Sequence, residues 1–271
     1  MNPTIIEANK KTKFLNLKEL YNYRELLYLL TYRDFRAKYA QTVLGLFWGF
    51  LKPVLTLFVI SIIFGRVVNV KTGSIPYPIF ALSGMVGWSY FAAMLGMAGS
   101  SLIGSQAIIK KVYFPRLIVP IAKVGVSFVD YLITLLFLFI MLPIYGAPFT
   151  WKLIFIIPLT IWVILIGTSI GVWLSAMAIR FRDLLQISPI FVKLGYYVSP
   201  IVYPSSMVPE AYLPLYYINP MAGLIDLFRW ATVGADFPSQ YVGISMVVTL
   251  FLMISSVWAF NRVERKMADL L

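Results

Sequence analysis

Residues 44–68 read LGLFWGFLKPVLTLFVISIIFGRVV. This run carries two charged side chains, Lys52 and Arg66, and is long enough to cross a bilayer as a helix, which takes about 20 apolar residues. It starts too far in, and runs too long, for the core of a signal peptide, so a span is expected. Five comparable runs follow, at 77–102, 117–142, 153–178, 186–204 and 238–260. A soluble bundle would have to bury all six. Composition decides against that. The chain of 271 residues is 60% hydrophobic and 13% charged, with mean hydropathy +0.83, against about 45–50% and about 25% for a soluble domain. The predicted fold is an all-α integral membrane protein with six transmembrane helices.

Charge orients the spans. Of the 23 basic residues, four (Arg66, Lys71, Lys152, Arg229) fall on one side and three (Lys52, Lys123, Lys193) inside spans. The remaining 16 lie in the termini and in the loops near 103–116 and 179–185. Positive charge marks the cytoplasmic side, so both termini are expected there. The chain then divides into a cytoplasmic N-terminal segment (1–43), a six-span domain (44–260) and a short cytoplasmic tail (261–271). The net charge of +12 follows from this topology and calls for no nucleic acid.

The N-terminal segment NLKELYNYRELLYLLTYRDFRAKY (16–39) opens with Asn16 and Glu19 at capping-box spacing. Leu17, Leu20, Leu27 and Leu30 share a helical face. A basic amphipathic helix ahead of a span reads as an interface helix, either a plain anchor or a lever on a cytoplasmic partner. Residues 205–234, SSMVPEAYLPLYYINPMAGLIDLFRWATVG, are apolar but divided by Pro209, Pro214 and Pro220. Asn219 and Pro220 make an N-cap and first helical position, and the helix to Gly234 is too short to cross. We expect two short re-entrant or interfacial helices at about 205–235; a plain extracellular loop is the alternative.

The chain has no cysteine and no histidine, which removes thiol nucleophiles, histidine acid–base chemistry and Cys/His zinc sites. No catalytic or metal-binding set is assigned. GSSLIGSQ at 99–106 lacks the lysine a phosphate-binding loop needs. Asp130 and Asp226 are thin provision for a proton relay.

Six segments, in order, carry a resemblance: YRDFRAKYAQTVLGLFWGFLKPVL (32–55), YPIFALSGMVGWSYF (77–91), KKVYFPRLIVP (110–120), LSAMAIRFRDL (174–184), SPIVYPSSMVPE (199–210) and NPMAGLIDLFRWA (219–231). Over nearly its whole length the chain resembles the permease subunit of ABC-type polysaccharide exporters, which move O-antigen, capsular polysaccharide or teichoic acid. The resemblance implies a half-transporter of the bacterial inner membrane, not itself an enzyme. It pairs with a second copy and with two ATPase subunits, which bind the ATP and Mg that this chain does not. It also implies that Lys110, Lys111, Val112, Tyr113, Phe114, Pro115 and Arg116 dock on the ATPase together with Arg180, Phe181, Arg182 and Asp183. Asn219 and Pro220 would open a gate helix. The charges of the docking set are equally what positive-inside topology requires; the aromatics are not. Export of a drug or lipid on the same fold is the alternative, with an enzyme acting on lipid-linked sugars behind it.

A lipid-linked polysaccharide would meet two sets of residues. Trp88, Tyr90, Phe91, Tyr196 and Tyr197 offer the apolar faces and polar edges that sugars fit; they also read as interfacial belts or packing. Lys52, Lys123 and Lys193 lie at one depth in three spans. They either snorkel to the headgroups or, doubled in a dimer, ring the pore entrance and hold a pyrophosphate. Asp130, seven residues beyond Lys123, would temper that lysine.

Overall fold

The computed structural model describes residues 17–40, 45, 47–147 and 149–264. Among these there is no strand. Five stretches are helical, long and apolar enough to cross a membrane: Phe47–Val67, Tyr77–Gly99 (α4), Ile118–Ile144 (α7), Trp151–Arg180 and Val242–Glu264 (α12). The first is α3, Phe47–Ile60, continued by a π-helical turn over Ser61–Val67. The fourth is a 3-10 turn, Trp151–Phe155, leading into α8, Ile156–Arg180.

Helix α4 is the hub. It packs against α3, α7, α8 and the shorter helices described below, and most of its residues are buried, with apolar or small residues on all its faces, the pattern of a core helix. Small residues let its neighbours come close. A Cβ at Gly167 or Gly171 of α8 would fall 2.5 Å from Met94 Cε or 2.7 Å from Ala98 Cβ. This is the four-residue small-residue spacing by which membrane helices approach without a hydrophobic driving force. The outer faces are apolar as well. Leu132, Leu136 and Ile140 on α7, and Val247, Leu250, Phe251 and Ile254 on α12, all face outward. Apolar side chains at helical spacing on the outside are what lipid, and not water, permits.

One end of the bundle, here the loop end, is sealed by a second apolar cluster. Leu30, Leu102, Phe114, Ile118, Val172, Ile179 and Phe260 belong to it. It gathers the N-terminal helices, α1 (Leu17–Asn22) and α2 (Arg24–Tyr39), the start of α7 and the last turns of α8 and α12. Two single turns, α5 (Ser101–Gly104) and α6 (Gln106–Ile109), carry the chain across this end. The N-terminal stretch expected as one helix is two helices broken at Tyr23, and Leu20, Leu27 and Leu30 pack into this cluster. Asn16, the expected cap, lies outside the described residues, as does the tail from 265.

The expected span at 186–204 takes a different form. Its helix, α9, covers Leu184–Val198, 15 residues, and none of its side chains is fully buried. At about 1.5 Å per residue it is about 22 Å long, short of the roughly 30 Å hydrocarbon core. Ser199 then turns extended, and the Tyr77 hydroxyl at the start of α4 donates to the Val202 carbonyl at 2.9 Å. The chain has by then reached the opposite end. There, residues 205–234 form two 3-10 turns, the single turn α10 (Leu213–Tyr216) and α11 (Pro220–Thr232). Asn219 caps α11 by accepting from the Met221 N–H at 3.1 Å, and Gly234 closes the segment at φ +73°.

Candidate functional site

The loop end carries residues 110–116 and 180–183, each beside a member of the apolar cluster that seals it. Pro115 and short turns hold the first stretch in a curl round a hollow of about 220 Å3, lined by Ile109, Lys110, Lys111, Val112, Tyr113, Phe114 and Arg116. The two aromatics do opposite things. Phe114 is 4% exposed, plugged into the cluster that seals this end, while Tyr113 is 68% exposed. Only Tyr113 is presented outward; Phe114 is the pin that fixes the curl. The Tyr113 phenol is pushed above its ordinary value, first by such burial as it has and then by the nearby Glu19 and Glu264 carboxylates. It therefore stays neutral and able to donate at physiological pH.

Arg116 fastens the curl to the end of α12. Its N–H donates to Glu264 Oε1 at 3.4 Å and its guanidinium to the Glu264 carbonyl at 3.1 Å. Lys110 and Lys111 are exposed, as are Arg180, Phe181, Arg182 and Asp183, with Arg180 lying over the Phe181 ring at 5.3 Å. Ile179 shares the apolar cluster with Phe114, so both loops rest on one foundation. This is a basic, aromatic-tipped surface on a rigid base.

The three lysines are not equivalent. Lys52 and Lys193 are exposed. Lys123 donates to Asp34 Oδ2 of α2 at 2.5 Å. Asp130 does not sit with Lys123; it pairs with Lys38 of α2 and accepts from the Tyr39 hydroxyl at 2.5 Å. Thr31 adds a bond to the Ala122 carbonyl at 3.2 Å. Helix α2 is thus clasped to α7 along one face. The aromatics divide too. Trp88, Tyr90 and Phe91 are buried within the chain's own core, Trp88 against Phe91 and Tyr196 and Tyr90 against Tyr131. Tyr197 is exposed.

At the opposite end a buried clasp escapes a reading for motifs. Arg229 of α11, 2% exposed, donates from Nε to the Phe80 carbonyl at 3.3 Å and from Nη2 to the Ile201 carbonyl at 2.9 Å. Its guanidinium lies 3.5 Å from the Phe80 ring centre and faces Asp226 at 3.8 Å. Asp226 accepts from the Tyr217 hydroxyl at 2.8 Å. Gly84 makes room for it: a Cβ there would meet Arg229 Nη2 at 2.8 Å and the Ile201 Cα at 3.2 Å. Asn219 also reaches Ser199, at the end of α9, at 2.8 Å. One arginine and one asparagine thus tie α11 to α4 and α9. The signal available in the sequence was an acid and a base three residues apart in an apolar helix.

The family model described as ABC-2 type transporter matches residues 25–233. The chain belongs to the ABC-2 type transporter family. Within this ABC-2 family the chain is 27% identical over 261 residues to an O-antigen export system permease protein RfbA of Klebsiella pneumoniae, covering 95% of this chain and 100% of that protein. It is 28% identical over 216 residues to the RfbA protein of Myxococcus xanthus, covering 79% and 82%. The polysialic acid transport protein KpsM of Escherichia coli is 24% identical over 226 residues, covering 81% and 87%. The family match takes in α2 from Glu25 onward, both loops of the basic surface and the Asp226–Arg229 clasp.

Proposed function

We propose that the chain is the membrane half of an ATP-driven exporter of lipid-linked polysaccharide, working as two copies joined to two ATPase subunits in the inner membrane. The observation that carries this is end-to-end similarity to permeases named for O-antigen export. The loop surface supports the ATPase partner. Lys110, Lys111, Arg180 and Arg182 complement an acidic rim, and Tyr113 is an aromatic anchor of the kind that dominates such contacts.

Six crossings make this topology. Five are the long helices; in the sixth, α9 and residues 199–202 together span from Arg180 at the loop end to Val202 beside Tyr77. Both described termini then lie at the loop end, which the positive-inside bias assigns to the cytoplasm. The short helices around α11 are read as the re-entrant gate on the outer side, with Asn219 and Pro220 at its hinge. Because most of α4 is buried in the core, the substrate path runs between two copies, where α9 and its exposed Tyr197 and Lys193 are open to it.

Co-expression with the candidate ATPase tests the reading. The two proteins should purify together in equal amounts, with lipid-linked glycan in the extract. Recovery of the chain with no ATPase subunit contradicts it.

A further inference from the structure

The face of α2 turned away from α7 is unlike the clasped one. Leu29, Tyr32, Arg33, Arg36, Ala37 and Ala40 line an open groove of about 610 Å3, at the spacing of one helical stripe. The clasp fixes which way this face points, since Thr31, Asp34 and Lys38 are engaged with α7. Within reach of the groove, Asp34 is shared: Oδ1 accepts from Arg33 Nε and Nη2 at 3.0 and 2.8 Å, and Oδ2 accepts from Lys123. Among the described residues Arg36 has no carboxylate partner, and its guanidinium lies 5.9 Å from the Tyr32 ring centre. Two arginines, Arg33 and Arg36, thus line this face beside Leu29, Ala37 and Ala40, and the one carboxylate near them, Asp34, is already shared with Lys123.

We propose that this groove is a binding site for the anionic headgroup of a bilayer phospholipid. Charge complementarity calls for an anion, and arginine forks fit phosphate oxygens in pairs. The volume exceeds what a free phosphate needs, and the apolar lining matches the glycerol and first methylenes of a lipid. An interfacial helix beside a span is where such a headgroup lies, and each basic side chain near that surface strengthens anionic lipid binding several-fold. Lipid held here bears on α2, and through Asp34 and Lys38 on α7 and the loop surface that precedes it. The site is independent of what the transporter exports.

The test uses the purified full-length chain in mixed micelles containing phosphatidylglycerol or phosphatidylcholine with the same acyl chains, with retained lipid counted by mass spectrometry of the intact protein. Phosphatidylglycerol should be retained in preference, and the double substitution Arg33→Gln/Arg36→Gln should lower its retention roughly tenfold or more. Arg33→Lys/Arg36→Lys should restore most of it, and Arg180→Gln/Arg182→Gln should leave it unchanged, which separates the groove from general basicity. Equal retention of both lipids, or full retention in the glutamine double variant, overturns the proposal. Displacement of phosphatidylglycerol by farnesyl pyrophosphate at far lower concentration than by added phosphatidylglycerol also overturns it, because the groove would then belong to a lipid-linked pyrophosphate.

Discussion

Lys123 of α7 and Asp34 of α2 are joined by an ion pair at 2.5 Å, and Asp130 of α7 is joined in the opposite sense to Lys38 of α2. Each helix gives one acid and one base. Such an exchange fixes register, because sliding either helix past the other breaks both pairs together.

The first prediction follows from that pairing. Asp34→Asn and Lys123→Gln should each lower the thermal midpoint in detergent, while the double variant should cost less than the two added together. A coupling of about 1 to 3 kcal/mol is expected from a double-mutant cycle on partners in contact. Strictly additive effects would remove the clasp from the account.

The lysine ring can be separated from the clasp. If Lys52, Lys123 and Lys193 hold a pyrophosphate, Lys52→Gln/Lys193→Gln should impair export with unchanged thermal midpoint and assembly. Lys123→Gln should add to that loss beyond what Asp34→Asn produces alone. Normal export in the Lys52→Gln/Lys193→Gln variant would leave snorkelling as the role of those two lysines.

Phe114 and Tyr113 should behave oppositely. Phe114→Ala empties a core position and should cost about 3 to 5 kcal/mol of stability, read as a lowered midpoint in the isolated chain. Tyr113→Ala should leave that midpoint unchanged and weaken co-purification with the ATPase. A Tyr113 variant that binds and stimulates the ATPase normally would show that this ring is not the anchor.

Gly84→Ala should disturb the opposite end of the bundle. The added methyl meets Arg229 Nη2 and the backbone at Ile201, an overpacking worth about 1 to 3 kcal/mol. Arg229→Met should cost more, on the order of 3 kcal/mol, since it leaves Asp226 buried without its cation. Equal stability of Gly84→Ala and the parent chain, measured by thermal unfolding, would contradict this packing.

Much of the architecture was legible because its signals are local. Spans announce themselves by unbroken apolar length, and Asn219–Pro220 marked the start of α11 by the chemistry of a helix cap. The shortness of α9 was harder to see: SPIVYP is as apolar as the helix before it, and only the extended backbone at Ser199 separates the two. Tyr113 and Phe114 read alike in sequence, because which ring turns inward depends on Leu30, Ile179 and Phe260 arriving from three other helices. The ion pairs were beyond reach for the same reason. Lys123 has Asp130 on its own helix face, yet Asp34, 89 positions away, takes it, since α2 brings a carboxylate closer than one lying two turns along α7.

Transport itself is the most direct test of the account. Proteoliposomes containing the chain and the ATPase that purifies with it should move fluorescent lipid-linked polysaccharide to the opposite leaflet when ATP is supplied, measured as label newly accessible to a glycan-cleaving enzyme on that side. Transfer should depend on ATP, stop when the chain is omitted and slow with Tyr113→Ala. Equal transfer with and without the chain, or ATP-driven movement of unglycosylated lipid alone, would contradict it.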